Sequence, residues 1–175
     1  MSVMSKPTVS IVMGSDSDLP VMTKCLDVLE KFQVPYEITV CSAHRTPDAA
    51  AELAKGGEAR GIRVFIAAAG GAAHLGGVIA AHTILPVLAV PIASTPLAGF
   101  DSLLAMVQMP PGIPVGTLAV GEYGATNAGI LATQILAGSD KVLAERLHKY
   151  KAEMVTKVQE KNAQMVASLK QRKAK

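Results

Sequence analysis

Five short apolar runs, each followed by a stretch with helical spacing, constrain the fold of this chain more than any other feature. Runs rich in Val, Ile and Ala are typical of parallel strands that are buried on both faces. Their alternation with helices predicts one doubly wound α/β sheet with right-handed crossovers. The predicted strands are Thr8–Met13, Tyr36–Cys41, Arg63–Ala69, Pro86–Val90 and Val115–Val120, and the predicted helices lie near Asp18–Phe32, Pro47–Arg60, Ala72–His82, Ser102–Gln108 and Ala125–Leu136.

The composition agrees with such a sheet. The 175 residues are 50% hydrophobic but only 3% aromatic, so the core has to be built from small and branched aliphatic side chains. No apolar run approaches the length of a membrane span, about 18 residues, and the N-terminus lacks a signal-peptide pattern. We therefore expect a cytoplasmic protein without a membrane partner. Cys25 and Cys41 have no metal or redox spacing, and we expect both to be reduced, buried thiols.

The C-terminal segment differs in pattern and in charge. Residues 1–138 have a net charge of −3 and residues 139–175 one of +6. From Asp140 an amphipathic helix would run for roughly 45 Å, which exceeds the expected diameter of a domain of this size. We predict a single domain over residues 1–175, with an α/β core at 1–138 and a helix at 139–175 that packs on a neighbouring subunit. A basic tail can also bind nucleic acid, but no RNA or DNA motif accompanies it, so we expect no such partner. Its apolar stripe consists of Leu143, Leu147, Tyr150, Met154, Val158, Met165 and Leu169.

The loops after the predicted strands are the places to look for a ligand site, because ligands of open parallel sheets bind beyond the carboxyl ends of the strands. After the first strand, Gly14 allows close backbone approach, and the next helix offers free N–H groups to an anion. Asp18 can accept hydrogen bonds from sugar hydroxyls. The alternative is that Ser17 or Asp18 only caps the helix. The loop matches neither a dinucleotide fingerprint nor a Walker loop.

The loop after the third strand, within Ala67–Gly77, contains four glycines and His74. Successive backbone N–H groups in such a turn can hold a carboxylate. Two alternatives stay open: the glycines allow close helix–sheet packing, and His74 is a core histidine with a hydrogen-bond partner.

The loop after the second strand places His44 and Arg45 side by side before a helix that opens with Thr46 as N-cap and Pro47 at its first position. An imidazole can both give and take a proton near neutral pH. The guanidinium fork suits a phosphate. The alternative, an exposed pair without function, is less favoured because two further ligand-like loops lie at the same edge of the sheet.

Four motifs in order, "MGSDSD", "SAHRTPD", "AGGAAHL" and "DSLLAMVQMPPGIPVGTLAVG", resemble the class I N5-carboxyaminoimidazole ribonucleotide mutases of purine biosynthesis, the phosphoribosylaminoimidazole carboxylase catalytic subunit family. The resemblance covers about Thr8 to Ala137. It implies a three-layer, flavodoxin-like, five-stranded sheet and a homo-octamer whose active sites lie at subunit junctions. It also implies transfer of a carboxylate from the exocyclic nitrogen of the imidazole nucleotide to ring carbon C4, without metal, biotin or ATP.

The same resemblance assigns roles to residues. It implies that His44 is the general acid–base. It further implies that the phosphate and ribose are held by Ser15, Asp18, Ser42 and Arg45, and the carboxylate by a pocket of Gly70, Gly71, Ala72, His74 and Leu75.

The sequence departs from the family pattern at four positions, and two other functions remain as alternatives. Gly76 stands where proline is common, Ala93 where a polar residue is common, and Glu122 and Tyr123 where smaller or basic residues are frequent. One alternative is the class II carboxylase, which uses free CO₂, although that class has "AHKGPD" in place of "AHRTPD". The other is a nucleotide- or flavin-binding module without catalysis.

Overall fold

A five-stranded, all-parallel sheet with the strand order β2-β1-β3-β4-β5 organises the molecule. The computed structural model describes residues 6–173; the N-terminal residues used in the signal-peptide argument and the last residues of the predicted C-terminal helix lie outside this range. The strand order is that of flavodoxin-like folds, with the topological switch point between β1 and β3. The predicted fold class is confirmed. The strands are β1 Val9–Met13, β2 Tyr36–Val40, β3 Val64–Gly70, β4 Val87–Ile92 and β5 Gly116–Thr117.

Helices cover both faces of this sheet. On one face a buried cluster includes Ala50, Ile79 and Met106 from three different helices. On the other face two helices approach so closely that a Cβ at Gly129 would lie 3.0 Å from Cβ of Val28. The helices are α1 Leu19–Phe32, α2 Pro47–Lys55, α3 Gly57–Arg60, α4 Leu75–Ala81, α5 Phe100–Val107, α6 Glu122–Ala137 and α7 Lys141–Lys173.

The fifth strand is much shorter than predicted. Only Gly116 and Thr117 pair with β4, at Leu88 and Ala89. Further along β4, Pro91 faces this edge and has no N–H to donate, so the regular ladder cannot continue. The carbonyl of Pro91 accepts instead from the N–H of Gly121, at 2.9 Å, within a loop.

Two predicted helix boundaries are wrong for reasons that involve glycine. The predicted helix Pro47–Arg60 is divided at Gly56 into α2 and α3, because consecutive glycines disfavour a continuous helix. The helix predicted from Ala72 begins only at Leu75, since Gly71 (φ +62°) and Ala73 (φ +46°) have left-handed backbone conformations that a right-handed helix cannot include.

The described chain divides into two compact units, with the boundary between Leu136 and Ala137. The first unit contains the whole sheet and the helices α1 to α5. The second contains α7, whose 33 residues span roughly 50 Å at 1.5 Å per residue. Within residues 6–173, no helix is both long and apolar enough to cross a membrane.

Candidate active site

A pocket of about 390 Å³ opens at the carboxyl ends of β1, β2, β3 and β4, beside the switch point of the sheet. It brings together three of the loops singled out from the sequence and one residue, Ser94, that sequence reasoning missed. Gly71 and Ala72, which were predicted to line it, do not, whereas their neighbours Ala69 and Ala73 do. The predicted residues that line it are Ser15, Asp18, Ser42, His44, Arg45, Gly70, His74 and Leu75.

The loop after β1 is a short 3-10 turn, Asp16–Asp18, capped by Ser15. The Ser17 N–H donates to Ser15 Oγ at 3.3 Å, and the Ser15 N–H donates to Asp18 Oδ2 at 3.1 Å. Asp18 stands at the N-cap position of α1, as the alternative has it, but its side chain makes no capping bond to α1 and belongs instead to the capping box of the 3-10 turn. This reciprocal arrangement holds the turn against the pocket.

Asp18 is the buried carboxyl of the site, with a side chain only 3% exposed. Burial raises the pKa of this carboxyl above its ordinary value of 3.8, because a charged group is poorly solvated there. Hydrogen bonds from the backbone of Ser15 and Gly14 oppose that shift in pKa, and the negative charge of Asp16 adds to it.

The loop after β2 is closed by Thr46. Its Oγ1 accepts from the Ser42 N–H at 3.0 Å and donates to the Ser42 carbonyl at 2.9 Å. Thr46 stands at the N-cap position of α2, as predicted, but its side chain makes no capping bond because it is engaged within the loop. The resulting turn carries His44 and Arg45, both exposed, at the pocket.

Arg45 is held loosely by neutral partners. Its backbone N–H donates to Ser42 Oγ at 3.2 Å, while its side-chain Nε and Nη2 lie 3.5 Å from Ser42 Oγ and the Gly14 carbonyl. None of the carboxylates within residues 6–173 forms an ion pair with it. A guanidinium without a carboxylate partner at a pocket can bind an anionic ligand in a bidentate manner.

His44 and His74 come from different loops and touch each other. His44 Nε2 lies 2.8 Å from His74 Nδ1, and the rings meet edge to face at 81° with their centroids 4.9 Å apart. One of these nitrogens donates and the other accepts, so the contact holds a single proton between them. His74 is exposed, so its interpretation as a core histidine is wrong.

The glycine-rich loop after β3 allows close approach of the backbone. A Cβ at Gly70 would collide with Ser94 Oγ and lie 3.1 Å from the Ile92 carbonyl. The left-handed conformations of Gly71 and Ala73 turn the chain sharply before α4 begins. Such a turn directs successive N–H groups toward one side, which is the geometry that holds carboxylates.

The remaining polar candidates do not form a second reactive centre. Both cysteines are buried free thiols, as predicted, and burial raises the pKa of the Cys25 thiol to about 12. Among the residues that the structure describes, no group of three or more His, Cys, Asp or Glu side chains is arranged to hold a metal ion.

A flavodoxin-like sheet whose strand ends bring an exposed arginine, a histidine pair and a glycine turn to one pocket defines an α/β protein with a ligand site at the switch point. The chain belongs to the AIR carboxylase family, whose family model matches residues 8–157. The resemblance inferred from the four sequence motifs is thereby confirmed.

Individual relatives extend this result. The chain is 57% identical over 156 residues to the N5-carboxyaminoimidazole ribonucleotide mutase of Pyrococcus horikoshii, covering 89% of this chain and 87% of the relative. It is 50% identical over 161 residues to the enzyme of the same name from Bacillus subtilis, covering 92% and 99%. Among solved structures, the crystal structure of Treponema denticola PurE is similar with a TM-score of 0.81 and 29% identity, covering 90% of this chain and 98% of that one.

The buried carboxyl predicts a pH dependence of stability. Asp18 ionises near pH 3.8 in the unfolded chain and at higher pH in the folded one. Stabilisation by the protonated form is therefore complete below pH 3.8 and is lost as the pH rises through the raised pKa. We expect Asp18→Asn, which keeps an acceptor for Ser15 without the charge, to gain in unfolding free energy over the native chain as the pH rises from below 4 to 7. Denaturant titrations across that range measure the difference.

Asp27→Asn is the matched control, because it removes one negative charge from an exposed position of α1 that does not act on Asp18. Parallel stability curves for the native chain and Asp18→Asn would contradict a raised pKa for Asp18.

Proposed function

We propose that this protein is an N5-carboxyaminoimidazole ribonucleotide mutase of purine biosynthesis. The enzyme moves the carboxylate of its substrate from the exocyclic nitrogen to ring carbon C4, giving 4-carboxy-5-aminoimidazole ribonucleotide. The observation that carries the proposal is identity of 50–57% with enzymes of that name over about nine tenths of the chain. The pocket chemistry supports it residue by residue.

The nucleotide is proposed to bind on the β1–β2 side of the pocket. Arg45 supplies a guanidinium fork that is not paired with a carboxylate of residues 6–173, and Ser15 and Ser42 supply hydroxyls beside it. These groups suit the phosphate, because a fixed cation and neutral donors together satisfy its oxygens. Asp18, whose Oδ2 already accepts from Ser15, is the natural acceptor for a ribose hydroxyl.

His44 is proposed to move the proton. Protonation of the carbamate nitrogen breaks its bond to the carboxyl carbon and releases CO₂ beside the ring. The electron-rich C4 then attacks that carbon, and the same base removes the proton that C4 carried, which restores the starting state. His74 supports this assignment, because its contact with His44 fixes the ring that has to give and take the proton.

The migrating carboxyl group is proposed to stay on the β3 side. Gly70, Gly71, Ala72 and Leu75 offer backbone N–H groups without side-chain charge, and the left-handed Gly71 lies within this turn. Gly71 and Ala72 do not line the pocket, so they are proposed to shape the turn, whereas Gly70 and Leu75 line the pocket and stand beside the carboxyl group. An uncharged pocket suits neutral CO₂, which a water-filled site would release.

The protein is further proposed to assemble into a homo-octamer, with a second copy covering its exposed apolar faces. On α5 and the loop before it, Leu97, Phe100, Leu104 and Val107 are exposed, Phe100 by 63%. On α7 the stripe from Met154 to Leu169 is also exposed. Opposite net charges, −3 for residues 1–138 and +6 for residues 139–175, favour contacts between these parts of different copies.

The function is tested by incubating the purified chain with the carbamate nucleotide and measuring the C4-carboxylated product. A parallel assay with aminoimidazole ribonucleotide and bicarbonate detects the class II reaction instead. We expect rapid turnover in the first assay. We expect His44→Asn to lower it by ~10²–10⁴-fold, the usual contribution of a general acid–base, without loss of folding or nucleotide binding.

His82→Asn is the control, since His82 is an exposed histidine outside the pocket. Near-normal turnover of the His44 variant would remove His44 from the mechanism. Turnover only in the assay with aminoimidazole ribonucleotide and bicarbonate would favour the class II reaction.

Arg45 is predicted to recognise the phosphate. Arg45→Ala should weaken binding of aminoimidazole ribonucleotide far more than binding of the dephosphorylated nucleoside, because only the nucleotide fills the guanidinium fork. Calorimetric titration of both ligands measures the two losses. Arg63→Ala removes another exposed arginine, which does not line the pocket, and should change neither affinity. Equal losses for both ligands in Arg45→Ala would contradict a phosphate contact.

Assembly is predicted to depend on the apolar faces. Light scattering of the intact chain should give a mass eight times that of one chain. Truncation after Gly138 should give smaller, less stable and poorly active species. Leu104→Glu should likewise reduce the mass, whereas Gln108→Glu, at the end of the same helix, should not. A fully active monomer at micromolar concentration would contradict the assembly.

A further inference from the structure

Ser94 is the residue that the loop after β4 contributes to the pocket. It follows Ile92, which pairs directly with Gly70 across the β3–β4 ladder. Its backbone N–H donates to the Ile92 carbonyl at 3.1 Å, so its position is fixed close to the end of the sheet. The fourth strand therefore brings one hydroxyl group to the same edge as the two histidines.

The Ser94 side chain occupies the space that a side chain at residue 70 would need. A Cβ built on Gly70 would collide with Ser94 Oγ and lie 2.9 Å from Ser94 Cβ. The backbone of Gly70 does not have a left-handed conformation, so its conformation alone does not require glycine. The absence of a side chain is what matters here. It allows the hydroxyl of Ser94 to stand directly over the backbone of the glycine loop.

The hydroxyl of Ser94 is not used by the fold. Within residues 6–173 it makes no hydrogen bond. The neighbouring Thr95 differs, because its Oγ1 accepts from the Leu97 N–H at 3.1 Å and donates to Asp101 Oδ2 at 2.7 Å. Ser15 and Ser42 are likewise engaged in their own loops. A fixed hydroxyl at a pocket, without an intramolecular partner, is available to a ligand.

The location of Ser94 indicates which part of the ligand it meets. The charged groups Arg45 and Asp18 follow β2 and β1, whereas Gly70 is the last residue of β3 and Ser94 follows β4, and neither carries a charge. We propose that Ser94 Oγ donates a hydrogen bond to an oxygen of the migrating carboxyl group and retains that group between its release from nitrogen and its capture by C4. This inference rests on the proposed function and assigns one more substrate-contacting residue to the same site.

A hydroxyl suits this task because the migrating group changes its charge. It is an anionic carboxylate at the start and at the end of the reaction and neutral CO₂ in between. A serine can donate to either, since it carries no charge that would bind the anion too tightly or require a counter-ion when the group is neutral. If the hydrogen bond from Ser94 lasts until C4 attacks the carbon, it also lowers the chance that CO₂ escapes to water.

The test compares the native chain with Ser94→Ala and with Ser94→Thr, which keeps the hydroxyl. Each is given carbamate nucleotide labelled with ¹³C in the carboxyl group, in excess unlabelled bicarbonate. Turnover and the label retained in the product are measured, and affinity for aminoimidazole ribonucleotide, which lacks the carboxyl group, is measured separately. Ser168→Ala, at an exposed serine of α7, is the matched control and should behave as the native chain.

We expect Ser94→Ala to lower kcat/KM for the carbamate nucleotide by about 10- to 100-fold, the usual effect of losing a hydrogen bond to a charged group, and to lose several-fold more label. Its affinity for aminoimidazole ribonucleotide should change by less than about twofold, and Ser94→Thr should retain most of the label. Native-like kcat/KM and label retention in Ser94→Ala would overturn the role of Ser94, as would an equal fall in the affinity for aminoimidazole ribonucleotide. Absence of product from the native chain would instead overturn the proposed function.

Discussion

The hydrogen-bond register of β1 with its two neighbours determines where the loops after β1 and β2 begin relative to β3. Met13 pairs with Val40 on one side and with Ala68 on the other. The ladder continues one step into the loops, because the Gly14 N–H donates to the Ala68 carbonyl at 2.9 Å and the Cys41 N–H to the Met13 carbonyl at 2.8 Å. β1 and β2 thus end at one level, two residues before the end of β3, and a shift of one residue would direct their side chains to the opposite faces.

Small side chains let the remaining elements approach this edge. Ala67, Ala68 and Ala69 fill the end of β3, and a Cβ at Gly76 in α4 would lie 3.3 Å from Cβ of Ala89 in β4. Close-packed interiors have little empty space and are hard to compress, so α4 and the loop before it have little freedom to move relative to the sheet. The glycine turn therefore presents its N–H groups from a rigid base, as electrostatic preorganisation requires.

The sequence was sufficient for the fold and for most of the site because both depend on local patterns. Apolar runs separated by helical spacing predict the parallel sheet, and the carboxyl ends of such strands meet at one edge whatever the details of the loops. The contacts that were missed are non-local or depend on backbone conformation. Nothing in the spacing of His44 and His74 indicates a distance of 2.8 Å, and Thr46 has the residue type of an N-cap although its hydroxyl bonds to Ser42. Ser94 was missed because Gly70, over which its side chain stands, has no side chain to suggest a contact.

The distribution of charge over the pocket links these contacts to the proposed chemistry. Arg45 and Asp18 lie on the loops of β2 and β1, so fixed charge is confined to the side proposed for the phosphate and ribose. On the β3–β4 side the groups are neutral donors that suit a carboxylate and CO₂ alike. The histidine contact bridges the two sides, because His44 belongs to the charged side and His74 to the neutral one. In the proposed mechanism a proton held at that contact lies between the nucleotide and the migrating group, where a single base can serve both steps of the transfer.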